Sequence, residues 1–345
     1  ATHETELTEP VDLCAEDGRH LNPAALGWSR RPLHRANLAG GWGRTKRWDY
    51  WAIQAEAVVI AVTIADLDYV GLVTVDWIDL TSHRSGGRTA IRPFGRGVDL
   101  PETPCSGRVA YEGRNLTVAV SYEPSTSAVL RARWTERDGS TGELDATVAP
   151  PAGGESLNVV IPWSATRFQY TSKHHGRAVS GSAEFDGRTF DLGGDGLEAW
   201  GILDVGRGRW PYRTRWNWGG GAGVSTDDRA VSLQFGGRWT EGTGFTENGV
   251  IIDGRLTKIG EELRWDYSWH DPLGPWRVRS ADDALDVTLI PEHDRHDRIN
   301  AAVVATEVHQ VFGHWAGTVP DGEGGALTVD RIQGFAEESL SLIHI

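Results

Sequence analysis

The residues best suited to chemistry lie between Trp200 and Trp218, where Asp204 is followed by Arg207, Trp210, Tyr212, Arg213, Trp216 and Trp218. A carboxylate among aromatic rings is desolvated, which raises its pKa, while neighbouring guanidinium groups lower it again. An Asp in that balance can act as a general acid, and Tyr212 can donate a proton or orient an oxygen. The same residues also fit a structural Arg–Asp pair, because ion-pair networks perturb pKa values too. A second pair of acids, Asp66 and Asp68, ends the run Val58–Tyr69 and shares parity with Val58, Ile60, Val62 and Ile64. Two residues apart on a strand they stand about 7 Å apart. They could share a proton, bind a cation or divide acid and base roles, or simply be solvated turn acids. Glu247, in TENG after the glycine-rich GRWTEGTG, can turn into the same cavity mouth. Lys258 is its expected neighbour across the Asp253-Gly254 hairpin, although a rim pair of this kind is worth little.

Histidines offer weaker constellations. Tyr170, Ser172 and His174 share one strand face and could line a pocket or serve as core, and His309 shares a face with Val311, Gly313 and Trp315. PEHDRHDR (291–298) carries nitrogen and oxygen donors suited to zinc. Such closely spaced donors need one more convergent group, so the segment reads as a solvated charged turn and no metal is assigned.

The elements that position these residues are strands. From Trp210 to Trp218 the aromatics fall on even positions, whereas Arg209, Arg213, Arg215 and Asn217 fall on odd ones. Alternate side chains on a strand point to opposite faces, so the segment predicts an aromatic wall backed by a row of guanidinium groups. Such walls, with a few polar handles, suit an elongated apolar ligand. If the arginines face inward instead, the preferred ligand becomes an anion with an apolar tail. Short alternating runs recur along the chain, as in Leu72–Leu80, Leu116–Glu123 and Leu285–Ile290, with Asp-Gly tips at Asp138, Asp186 and Asp253. This pattern predicts an all-β chain with hairpin turns.

We expect two consecutive antiparallel barrel-like or sandwich domains. An irregular arm over 1–45 packs through Trp28 and Trp42, a first β-domain covers 46–190, and a second covers 191–345. RWDYW (Arg47–Trp51) and RWNW (Arg215–Trp218) hint that the two β-units are related. The formal net charge, 34 − 48 = −14, argues against nucleic acid as a partner. No apolar run is long enough to span a bilayer. The polar N-terminus and the presence of only two cysteines, Cys14 and Cys105, suggest a cytoplasmic protein with reduced thiols. A bond between the two cysteines and the oligomeric state are left open. No phosphate loop, dinucleotide fingerprint, nucleophile elbow or HExxH is present, so no cofactor is expected.

Several stretches, among them GWSRRPLHRANL (Gly27–Leu38), KRWDYWAI (Lys46–Ile53), TIADLDYVGL (Thr63–Leu72), VIPWSATRFQYTSKHH (Val160–His175), DVGRGRWPYRTRWNW (Asp204–Trp218), GGRWTEGTGFTENG (Gly236–Gly249) and EVHQVFGHWAGTV (Glu307–Val319), resemble the bacterial domain of unknown function 2804 family. More distantly the chain is similar to tandem lipocalin-like proteins, a group that includes carotenoid hydratases and some fungal cyclases. That resemblance implies two barrels or sandwiches holding an apolar ligand in or between them.

The leading functional expectation is an isoprenoid, polyketide or lipid held against Trp210, Trp216 and Trp218, with Arg207, Arg213, Tyr170, His174 and His309 as further ligand contacts. Asp204, Tyr212, Asp66, Asp68 and Glu247 would supply cofactor-independent proton chemistry: hydration, dehydration, isomerisation or cyclisation. A non-catalytic binder of hydrophobic ligands is the alternative, and a carbohydrate-active β-protein is the third.

Overall fold

The computed structural model describes residues 2–122, 127–150, 153–193, 199–211, 213–301 and 304–343. Tyr212 lies outside the described residues. Strands dominate, and among the described residues the one helical element is a 3-10 turn at Pro23–Ala25. No helix is long and apolar enough to cross a membrane.

The N-terminal arm carries three two-residue strands, β1 (Val11–Asp12), β2 (Trp28–Ser29) and β3 (His34–Arg35). Trp28 is buried and donates from Nε1 to the Glu4 carbonyl, as expected of an anchor. Trp42 is not an anchor: it is 67% exposed, in a loop whose glycines turn it outward.

A 13-stranded antiparallel sheet follows. Its first meander is β4 (Thr45–Ala55), β5 (Val58–Asp66), β6 (Val70–Asp79) and β7 (Arg84–Pro93). Its second is β8 (Arg108–Glu112), β9 (Leu116–Tyr122), β10 (Ala128–Thr135) and β11 (Thr141–Ala149). The strands β12 (Leu157–Ser164), β13 (Arg167–Phe185), β14 (Arg188–Asp191) and β15 (Ala199–Arg209) complete it together with β2 of the arm, which pairs with β12, and β15 joins the meanders by pairing with both β4 and β13. A nine-stranded sheet contains β16 (Arg213–Val224), β17 (Ala230–Gly237), β18 (Asn248–Ile252) and β19 (Arg255–Ile259). It continues through β20 (Arg264–Asp266), β21 (Trp276–Arg279), β22 (Asp286–Ala301), β23 (Val304–Pro320) and β24 (Ala326–Ile343).

Both sheets follow one plan, in which a four-strand meander pairs its first strand with the sheet's last strand, β4 with β15 and β16 with β24. RWDYW and RWNW open those two first strands, so the aromatic hint in the sequence marks equivalent positions. The change of sheet falls between Arg209 and Arg213, so β15 is part of the first sheet although it lies within 191–345. Pro211 sits in that link, where the missing N–H suits a break between ladders.

Each sheet curls around its own core. In the first, Val73, Val75 and Trp77 of β6 share a cluster with Val109 and Tyr111 of β8, although these strands lie near opposite edges. Trp77 reaches across to donate to Glu136 at 2.6 Å, and its ring stacks on Phe185 at 4.4 Å. The second sheet encloses a cluster from Val231 and Phe235 through Trp276 to Trp315. A third cluster, with Trp200 and Ile202 against Trp218, Phe312 and Phe335, glues one sheet to the other.

Two of the three Asp-Gly tips make the expected two-residue turn with both φ values positive, Asp186-Gly187 and Asp253-Gly254. The Asp138-Gly139 tip is a longer loop in which Glu136 N–H bonds the Ser140 carbonyl. PEHDRHDR is not a loop: it forms part of β22, pairing with β23 through Pro291 and, after a bulge at Glu292, from His293 to Arg298. Cys14 and Cys105 are both free.

Arg207, fully buried, ties the first sheet together. It donates to Asp49 Oδ1 at 2.7 Å and to the Trp48 and Gly206 carbonyls. Removing one partner of a buried pair leaves the other charge uncompensated. Asp49→Ala should therefore cost about 3–5 kcal/mol in denaturant unfolding, whereas a loss under about 1 kcal/mol would put the pair in the class of solvated bridges.

Candidate functional site

Between the two sheets lies a cavity of about 460 Å³. Register alone explains which residues reach it. In the first sheet Thr74, Thr63, Tyr50, Asp204 and Lys173 are successive Cα partners across β6, β5, β4, β15 and β13, and all five line the cavity. In the second sheet the matching row is Trp218, Glu337, Gln310 and Arg295 across β16, β24, β23 and β22. Trp48, Trp210, Trp216 and Trp239 complete the aromatic walls.

At the centre is Lys173, whose Nζ lies 2.9 Å from Asp204 Oδ1 and 3.4 Å from Glu247 Oε2. The ammonium also sits 4.4 Å from the centroid of Trp218, a cation–π contact. Burial pulls the Lys173 ammonium down, but Asp204 and then Glu247 outweigh it, so the lysine is held above its ordinary value. Asp204 also accepts from Trp48 Nε1 at 3.1 Å and from Thr171 at 3.4 Å. Glu247 accepts from Trp239 Nε1 at 2.7 Å through Oε1, while its Oε2 has no aligned hydrogen-bond donor. Burial raises the Glu247 carboxyl to about 7, against the opposing pull of Lys173 and with the support of Asp204.

The second sheet repeats half of this arrangement. Glu337 accepts from Trp216 Nε1 at 2.7 Å, and burial likewise raises it to about 7. Nearby, Arg295 lies 3.5 Å from Asp76 and 2.8 Å from Asp297. Lys46, set 4.9 Å from the Trp210 ring, is lowered to about 8 by burial.

Two glycines make room. A Cβ on Gly206 would run into the Trp48 indole, and one on Gly236 into the Glu247 side chain. Each absent side chain lets its neighbour, the Trp48 indole or the Glu247 side chain, lie close against the backbone.

Of the residues singled out in the sequence, the cavity gathers Asp204, Glu247, Trp210, Trp216 and Trp218. The arginines take the other face. Arg207 binds Asp49, Arg209 donates to the Gly18, Ala39 and Gly40 carbonyls, and Arg213 is exposed. Asp66 and Asp68 do keep parity with the apolar face of β5, but that face is the first sheet's own core, while Thr63, Ala65 and Leu67 meet the cavity. Asp68 instead accepts the Gly43, Arg44 and Thr45 N–H groups, and Asp66 lies 3.6 Å from Arg47. Tyr170 and His174 are buried on the side of β13 away from the cavity, bonded to Asn158 and to Ser172 respectively. His309 lies behind the cavity wall, held by Asp294. Lys258 pairs with Glu4 of the arm at 2.7 Å rather than with Glu247, although its register opposite Gly249 is as expected.

Lys173, Glu337, Trp48, Tyr50 and Trp239 were not singled out as site residues. The odd positions Gln169, Thr171 and Lys173 carried the signal, a polar alternation opposite the Tyr170 face.

A family model matches residues 4–341. The chain belongs to the domain of unknown function family DUF2804. No curated protein matches the sequence. Similar solved structures include a candidate AttH from Nitrosomonas europaea, 13% identical, covering 86% of this chain and 92% of its own at a TM-score of 0.49. CghA is 9% identical over 89% of this chain and 90% of its own, with a TM-score of 0.47. Kievitone hydratase from Nectria haematococca is 10% identical over 87% and 89%, with a TM-score of 0.46.

Between the ordinary glutamate value and about 7, folded Glu247 keeps a proton that the unfolded chain has released. Stability is therefore lost as pH rises through that window, by about 3 kcal/mol in full. Glu247→Gln carries no such charge, so its stability relative to the parent should rise between pH 5 and pH 8 in denaturant unfolding. A constant difference across that range would place the retained proton elsewhere.

Proposed function

We propose that the protein binds an apolar small molecule in the cavity between its sheets and performs cofactor-independent proton transfer on it. The observation that carries this reading is the Lys173 ammonium held between Asp204 and Glu247 beneath indole walls. The cavity's volume falls within the roughly 300–1,000 Å³ of small-molecule sites, and five indoles supply apolar wall among eight acidic or basic side chains.

In this reading the indoles hold and shape the ligand, and their faces favour positive charge that develops on it. Glu247 is the proton donor, because burial keeps its carboxyl partly protonated near neutrality and Oε2 has no aligned donor. Asp204 has three donors on its carboxylate and holds Lys173 in place, so it is assigned to positioning. The proton leaves Glu247 for an unsaturated carbon or a leaving hydroxyl of the ligand. Lys173 then stabilises the carboxylate that remains. Hydration, dehydration, isomerisation and cyclisation all begin with such a transfer. A glycosidase needs one carboxylate on each side of the sugar, whereas here a single ammonium draws both Asp204 and Glu247 to itself, which favours the proton-transfer reading.

The test starts with the purified protein, using native mass spectrometry and extraction to identify a co-purifying ligand. On that compound, Trp216→Ala should weaken binding at least tenfold. Glu247→Gln should bind it within about threefold of the parent while turnover falls 10²- to 10⁴-fold, the range of general acid catalysis. Parent turnover should decline as pH rises through about 7, where Glu247 loses its proton. Full turnover in Glu247→Gln would sink the catalytic role. Ligand binding without turnover in the parent would leave a storage or presentation protein.

A further inference from the structure

The strands that present Arg295, Asp297, Val308 and Gln310 to the cavity turn a different group of residues to their other face. His296 of β22 and His309 of β23 are direct Cα partners. Their rings lie parallel, 5° apart in tilt, with centroids 4.1 Å apart. Glu307, two residues before His309 and so on the same face, places Oε1 3.0 Å from His296 Nε2. One donor atom from each of the three residues falls within 4.8 Å of the others.

The fourth member is Asp294. Its carboxylate accepts from His309 Nδ1 at 2.9 Å. A carboxylate can only accept in that contact, so the proton sits on Nδ1 and the Nε2 lone pair of His309 is free. A carboxylate behind an imidazole is the usual outer partner of a metal-bound histidine, fixing both tautomer and ring direction. The edge of Trp269, with its ring 4.5 Å from that of His309, limits the site on one side. His296 is 44% exposed and leaves the other side open to water.

We propose that His296, Glu307 and His309 bind a divalent ion of the zinc class, with Asp294 orienting His309 and water completing the coordination. Two imidazoles and one carboxylate form a borderline nitrogen and oxygen donor set that suits zinc. The missing convergent group of PEHDRHDR is thus supplied by strand pairing: β23 brings Glu307 and His309 to His296. The ion fastens β22 to β23 directly behind Arg295, Asp297 and Gln310, and in that way fixes one wall of the cavity. Its binding is independent of the reaction proposed above.

Full-length protein stripped with a chelator and titrated with ZnCl₂ by calorimetry tests the site. The parent should take up one Zn²⁺ per chain and gain thermal stability from it. His296→Asn and Glu307→Gln, the more exposed ligands and so the safer substitutions, should each weaken binding at least tenfold and lose the thermal gain. Asp294→Asn should weaken it by roughly 10- to 100-fold through the orientation of His309. His83 and His293, whose Nδ1 atoms lie 3.1 Å apart, are the competing pair. Loss of the Zn²⁺ in His83→Asn, unchanged affinity in His296→Asn and Glu307→Gln, or no uptake by the parent would each overturn the proposal.

Discussion

Lys173 carries an ammonium group into a space walled by indoles, where an unpaired charge would cost several kcal/mol. Its two partners come from different parts of the chain: Asp204 is its neighbour within the first sheet, and Glu247 precedes β18 of the second. The ion cluster is therefore also a joint between sheets. Nearby apolar contacts, Trp200 and Ile202 against Trp218 and Phe335, press the sheets together but do not specify their registration. Charge pairing does, because a slip that separated Lys173 from Glu247 would leave a buried carboxylate without its cation. The requirement propagates outward. Trp48 must reach Asp204, Gly206 must lack a side chain so that Trp48 lies flat, and Arg207 must be satisfied on the opposite face by Asp49.

The internal repeat gives this arrangement a second copy. In β4, Trp48 donates to Asp204, the cross-strand partner of Tyr50 two residues on. In β16, Trp216 donates to Glu337, the cross-strand partner of Trp218 two residues on. An indole N–H, a carboxylate and a second aromatic thus occupy equivalent places on both sheets. The geometry follows from the ladder, since a long indole reaches diagonally to the neighbouring strand at i, j±2 spacing. Two such brackets facing one cavity explain why so many tryptophans gather there without disordering it. The five indoles that line the cavity each have an acceptor: Trp48 on Asp204, Trp210 on Gln169, Trp216 on Glu337, Trp218 on Gln234 and Trp239 on Glu247.

Much of this was legible from alternation. The parity of Trp216 and Trp218 against Arg215 and Asn217 separated the two faces of β16 without saying which one meets the cavity, and the Asp253-Gly254 hairpin came with its register. Alternation could not tell which of a strand's two faces looks into a cavity when both are buried. Val58 to Ile64 in steps of two face the first sheet's core, whereas the intervening Thr63 and Ala65 meet the cavity, so Asp66 at the end of β5 follows the core face and Asp68 lies in the turn beyond it. The same ambiguity drew attention to Tyr170 and His174 instead of Gln169, Thr171 and Lys173. Long-range pairing was the other hidden quantity. Nothing local to Lys173 announces Glu247, and nothing in PEHDRHDR announces Glu307, because each meeting depends on which strands lie side by side.

The two brackets differ in one residue, and that difference sets the chemistry of the cavity. The neighbour of Asp204 on the next strand is Lys173, whereas the neighbour of Glu337 is Gln310. The first sheet therefore sets an ammonium beside its carboxylate, whereas the second sets its cation, Arg295, one strand further on beyond Gln310. Glu337 has an indole donor but only a remote ammonium, and burial lifts it to about 7. Glu247 reaches a similar value beside the ammonium because burial outweighs the pull of Lys173, with Asp204 adding to the rise. The cavity thus has the Lys173 ammonium and the Arg295 guanidinium in its lining, together with two carboxyl groups, Glu247 and Glu337, that burial raises to about 7. Two such carboxyl groups therefore line one cavity while Lys173 is held charged by its acidic neighbours.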